Sequence, residues 1–147
     1  MDPRQPVLVG MGQISNRVDR GAEPLEPVDL MAEALRTAEA ESGSTGVLAG
    51  ADTVGTVDLL SWRYRDPGAL VAERVGASPR RSLRTTGGGQ SPQLLVNLLA
   101  VDIAAGRSDL ALLAGAECWR TRQAFRGKEA DQDWTVQGDD VPRAEEV

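Results

Sequence analysis

The stretch from Ser91 to Ala105 constrains the fold more than any other part of the chain. Seven large aliphatic side chains (Leu94, Leu95, Val96, Leu98, Leu99, Val101, Ile103) leave only Ser91, Gln93, Asn97 and Asp102 as polar positions. Ser91-Pro92 opens it in the cap-then-proline manner of a helix start, and Gly106 stops it. The pattern predicts a helix that is apolar on nearly every face and so buried on all sides. A chain of 147 residues sandwiches such a helix only with difficulty. A second layered half, or a partner subunit, would cover it more naturally.

The elements around this helix alternate. Val7 to Met11 reads as a buried strand, and Thr53 to Leu60 as β-prone. Arg81 to Thr86 and Leu110 to Leu113 read as further strands. Between them, Pro27 sits at a first helical position, and Val28, Met31, Ala32 and Leu35 share one face until Gly43 stops the helix. Asp66-Pro67 caps a second helix through Leu70, Val71 and Val75, ending near Gly76. Strand and helix in turn argue for an α/β layer with a mainly parallel sheet. After Trp119 the sequence turns polar and loses its periodicity.

Composition excludes several function classes. The net charge is −6, which disfavours nucleic acid and anionic membrane as partners. Local basic spots (Arg63 and Arg65; Arg80, Arg81 and Arg84; Arg120, Arg122 and Arg126) are not interleaved with aromatics as in a single-strand binder. With one cysteine, Cys118, no internal disulfide is possible, and the chain reads as cytoplasmic, without a signal peptide or a bilayer-long apolar run. There is no histidine. The commonest general base and the commonest metal ligand are both missing, so no metal site is expected.

Two glycine-rich loops are candidate sites. Gly10-Met11-Gly12 has Ser15 where a dinucleotide fingerprint wants glycine, and a turn-rich stretch follows in place of a helix. Gly87-Gly88-Gly89-Gln90 precedes the apolar helix and would put bare backbone N–H groups at its N-terminus. That favours an anion, an oxyanion or a thiolate. The alternative is a sharp strand-to-helix turn and nothing more.

Three segments carry a resemblance: Val7 to Gly12, Asp29 to Leu35, and Ala104 to Glu117. Together they resemble the N-terminal half of thiolases, and more closely the actinobacterial thiolase-like proteins called acetyl-CoA acetyltransferases. Leu59 to Tyr64 and Thr85 to Gly88 are similar to that group as well. The likeness extends over about residues 5–135. It implies a thiolase-like layered α/β fold, mostly parallel with a buried central helix, over residues 1–119. Residues 120–147 are then expected as a loop segment or a truncated, disordered tail. It also implies acyltransferase chemistry of lipid metabolism on a CoA thioester, with no further cofactor. Partners would be a second copy or a thiolase-like C-terminal half, with self-association through the sheet edge near Arg81 to Thr86.

Thiolases hold a nucleophilic cysteine at the start of that helix. With Gly106 and Glu117 aligned to the family's matching glycine and glutamate, the resemblance implies that Gly89 stands at its position. Gln90 and Ser91, one and two residues on, are not thiols, and Ser91 reads as the helix N-cap with only weak candidacy as a nucleophile. Gly87, Gly88, Gly89 and Gln90 remain the candidate substrate-binding loop. Cys118 reads as a buried structural thiol. The resemblance thus implies a fragment inactive on its own. Two alternatives stay open: a non-catalytic or split subunit that completes a thiolase-like partner, or part of a thiolase-fold aldolase.

Overall fold

Short β-prone runs among small residues form the centre of the molecule. The computed structural model describes residues 4–126 and 133–147, apart from the side chain of Arg20. Its sheet has four strands: β1 (Thr53–Thr56), β2 (Arg81–Arg84), β3 (Ala111–Ala114) and β4 (Glu145–Glu146). Their order is β3-β1-β2-β4, and every pairing is parallel. Val54 lies beside Ser82 on one side and Leu112 on the other.

A parallel sheet needs cover on both faces, and the helices α1 (Pro27–Ser42), α2 (Pro67–Val75) and α3 (Ser91–Ala104) supply it. Val28, Met31 and Leu35 of α1 and Val71 and Ala72 of α2 form one core with Val54, Leu112 and Ala114. On the opposite face Leu95 and Leu99 of α3 pack with Leu83, Ala111 and Leu113. Strand β3 therefore sends alternate side chains to the two cores, as the two-residue period of a strand requires. Gly55 matters here: a Cβ on it would lie 3.0 Å from the Leu95 methyls, so a larger residue would push Leu95 of α3 back by a few tenths of an ångström.

The helix boundaries follow local chemistry. Pro27 and Pro67 stand in the first turns of α1 and α2. The Asp66 carboxylate caps α2 by accepting from the Ala69 N–H at 2.8 Å. Gly43 and Gly76 end these helices at φ 71° and 73°, a conformation costly for other residues.

Four expectations need correction. Val7 to Met11 forms no strand and pairs with none among the described residues, and Val7, Leu8 and Met11 are 70%, 76% and 64% exposed. Its backbone instead leans on α1: a Cβ at Gly12 would overlap the Ala34 carbonyl oxygen, and the Met11 N–H donates to the Glu41 carboxylate at 2.9 Å. Secondly, α3 is not buried on all sides. Only Ser91, Leu95, Leu99 and Asp102 are buried, because one helix face meets one sheet and no described element covers the rest. Thirdly, Ser91 is not the N-cap of α3; Gln90 is, without a side-chain cap bond. Finally, β1 stops at Thr56, after which the chain turns into the loop that leads to α2.

Residues 120–147 join the domain wherever they are described. Trp119–Phe125 forms α4. Beyond residues 127–132, which lie outside the described residues, the chain returns to the sheet. The Gln137 side-chain oxygen accepts from the Arg65 and Asp66 N–H groups at 2.8 Å, and β4 pairs with β2 at Leu83 and Arg84. The sheet edge expected for self-association is occupied at those two residues.

Candidate functional site

Strands β1 and β2 are neighbours, yet the helices that follow them lie on opposite faces of the sheet. The chain therefore switches faces at their carboxyl ends, the usual place for a site in such sheets. The loop after β2 carries Gly87, Gly88, Gly89 and Gln90 there. The buried Thr85 hydroxyl accepts from the Asp58 N–H at 3.0 Å and locks this loop to the loop after β1. A Cβ on Gly87 would come within 3.7 Å of the Asp58 carboxylate.

The four loop residues are exposed at the start of α3. None of the three glycines adopts a positive φ, so their backbone conformation does not demand glycine. At Gly89 an added Cβ would meet nothing within 4 Å. The position has room for a side chain and holds none. The Ser91 N–H is taken by the Gly88 carbonyl at 3.1 Å, and Pro92 has no N–H to offer. The first turn of α3 is thus a poorer anion site than an ordinary helix start.

The other nucleophile candidates are engaged elsewhere. Ser91 is buried, and its hydroxyl donates to the Thr86 carbonyl at 2.7 Å. Cys118 is buried beside the start of α4, where its Sγ lies 3.4 Å from the Leu25 carbonyl oxygen. Burial, reinforced by the negative charges of Glu117, Glu26 and Asp29, pushes its thiol up to about 12. At neutral pH it is a protonated, non-nucleophilic thiol. No described contact joins it to the glycine loop. Among the described residues no group of three His, Cys, Asp or Glu side chains is placed to hold a metal ion, and no helix is long and apolar enough to cross a membrane.

Two cavities escaped the sequence reading. One, of about 610 Å³, lies between the loop after β1 and α4, lined by Trp62, Arg63, Trp119, Arg122 and Arg126 among others. Glu117 holds that loop by accepting from the Leu60 and Ser61 N–H groups at 2.6 and 3.1 Å, and the Arg122 guanidinium stacks over Trp62 at 4.9 Å. The second is an apolar slot of about 660 Å³ between residues 5–12 and β3. Leu35 and Ala38 of α1 line one wall, and Val96 and Ile103 of α3 line the other. The only sequence signal for it was the apolar run at Val7 to Met11, which predicts burial without saying against what.

No protein-family model and no curated protein matches the sequence. Among solved structures, the chain is similar to a monomeric SCP2-thiolase-like protein type 1 from Mycobacterium smegmatis, with a TM-score of 0.68 and 33% sequence identity. The match covers 78% of this chain but only 24% of that protein, so the chain spans about a quarter of its neighbour's length. Element order, parallel sheet and this likeness agree: the chain has an α/β fold of the thiolase-like kind.

Proposed function

We propose that this chain is a non-catalytic homologue of the N-terminal part of thiolase-fold acetyl-CoA acetyltransferases, inactive by itself on a CoA thioester. The observation that carries this reading is the empty position at Gly89, with room for a side chain and no thiol. Nothing nearby replaces it, because Ser91 is bonded to Thr86 and Cys118 is buried and protonated. A nucleophile and its base act as a unit, and this sequence contains no histidine to serve as base. The test follows acetoacetyl-CoA consumption in the presence of CoA, with the wild-type chain and the Cys118→Ser variant. No turnover above background is expected from either. Turnover that survives purification and disappears in Cys118→Ser would overturn the reading.

A second reading has its own observation. The slot between residues 5–12 and β3 is lined by apolar side chains on both walls. An isolated chain would leave Val7, Leu8 and Met11 in water, and a completing thiolase-like subunit would bury them. Hydrogen exchange at residues 5–12 and 110–115 addresses this directly. Protection that appears only when a candidate partner is added supports completion; full protection in the isolated chain would remove the need for it.

A further inference from the structure

The cavity between the loop after β1 and α4 has one wall that is fixed and another that is free. On the fixed wall, Trp62 donates its indole N–H to the Thr135 carbonyl at 2.9 Å and meets Trp134 edge-on, with ring centroids 5.2 Å apart. The Arg122 guanidinium covers Trp62 at 4.9 Å while donating to the Ser61 carbonyl at 2.7 Å. On the free wall, Trp119 is 53% exposed, and Arg63 and Arg126 are exposed as well. Among the described residues, none of these three side chains has a hydrogen bond, an ion pair or a ring contact. The lining itself narrows what fits. Its three arginines are joined by no described Asp or Glu, which makes a local positive well in a chain of net charge −6. Among the described residues the lining also has no hydroxyl side chain, and Gln123 is its one amide. A sugar or a nucleoside would find few partners there for its hydroxyls and ring heteroatoms, and unpaired polar groups cost affinity.

We infer that this cavity binds a small aromatic carboxylate, with its ring against the Trp119 indole and its carboxylate paired with Arg63 and Arg126. An indole offers a flat apolar ring a stacking or edge contact. A guanidinium fork matches a carboxylate with two parallel N–H donors. The stacked Trp62 and Arg122 back the site with a third positive charge that is already in place. The volume of about 610 Å³ falls within the range of small-molecule sites. Arg63 and Arg126 give up no existing partner to bind, so the ligand pays only for their ordering. The inference does not depend on the chain being non-catalytic, and turnover measurements leave it untouched.

The probe is 2-naphthoate, titrated into the full chain by isothermal titration calorimetry. One site with a Kd of about 0.1–1 mM is expected for a ligand of this size. The double variant Arg63→Gln, Arg126→Gln should weaken binding at least about tenfold, and Trp119→Leu about fivefold. All three positions are exposed, so the circular dichroism spectrum should not change. 2-Naphthalenemethanol keeps the ring and lacks the charge, and should bind at least about tenfold more weakly. AMP carries an anion and a flat ring on a sugar, and should also bind more weakly than 2-naphthoate. Leu8→Asp, in the apolar slot on the other side of the sheet edge, should leave the affinity unchanged. No binding of 2-naphthoate at about 5 mM would overturn the inference. So would equal affinity for 2-naphthalenemethanol, tighter binding of AMP, or affinity that falls in Leu8→Asp and not in the arginine pair.

Discussion

The Ser91 hydroxyl donates to the carbonyl oxygen of Thr86 across the glycine loop, at 2.7 Å. The serine that looked like a helix cap or a stand-in nucleophile is instead the clasp of the loop. Ser91→Ala leaves the Thr86 carbonyl without this donor and should cost about 1 kcal/mol of unfolding free energy, read as a lower urea midpoint at constant slope. Wild-type Ser91 should also resist an organophosphorus serine reagent at neutral pH, and labelling at Ser91 within minutes would contradict its assignment as a structural hydroxyl.

Cys118 gives a pH prediction with a defined sign. Its thiol is pushed up to about 12 in the folded chain, against roughly 8.5 for a free cysteine. Above pH 8.5 the unfolded chain releases this proton and the folded chain keeps it, so stability falls as pH rises from there towards 12. Cys118→Ala should flatten the decline between pH 8.5 and 10, measured as urea midpoints. Burial of Tyr64 against Glu26 raises its phenol as well, which adds a decline beginning only near pH 10. Gly89→Cys, placed in open space, should react with iodoacetamide at pH 7.5 far faster than wild-type Cys118; equal rates would place Cys118 in solvent.

Glu26 is the hub that ties three segments together. Its carboxylate accepts from Arg74 at 2.6 Å, from Tyr64 at 2.8 Å and from the Thr135 N–H at 3.0 Å. Arg74 also pairs with Asp29. Removing one partner of a buried ion pair strands the other, so Glu26→Ala should cost about 3 kcal/mol. Glu26→Gln keeps an acceptor and should cost less. The diagnostic readout is hydrogen exchange at the Thr135 amide, which should accelerate in Glu26→Ala; an unchanged rate would show that residues 133–137 are held by other contacts.

Gly12 tests how the N-terminal segment is seated. A side chain there would overlap the Ala34 carbonyl and come within 2.6 Å of the Ala38 nitrogen. Gly12→Val should detach residues 5–12 from α1 and expose Ala34 and Ala38, with a stability loss of about 1–2 kcal/mol. Limited proteolysis should then cut within residues 4–15 while α2, α3 and the sheet stay protected. Cleavage throughout the chain would mean that the segment is part of the cooperative core.

The α/β alternation is legible in the residues alone, because cap, proline and glycine signals act within a few positions. Asp66-Pro67 with Gly76, and Pro27 with Gly43, mark α2 and α1 without reference to anything distant. The lack of histidine and the glycine at position 89 are likewise facts of composition and order. Which apolar surface is covered depends instead on how distant elements pack. Leu95 and Leu98 read alike in sequence; Leu95 is fully buried on the sheet, while Leu98 lies on the uncovered flank of the same helix. The run at Val7 to Met11 has the hydrophobicity of a core strand, but it leans on α1 and leaves an open slot between itself and β3. The two-tryptophan cavity and the Glu26 hub join residues separated by as many as 109 positions. Hydrophobicity states how strongly a side chain avoids water, and the choice of neighbour that removes it from water is made by long-range packing.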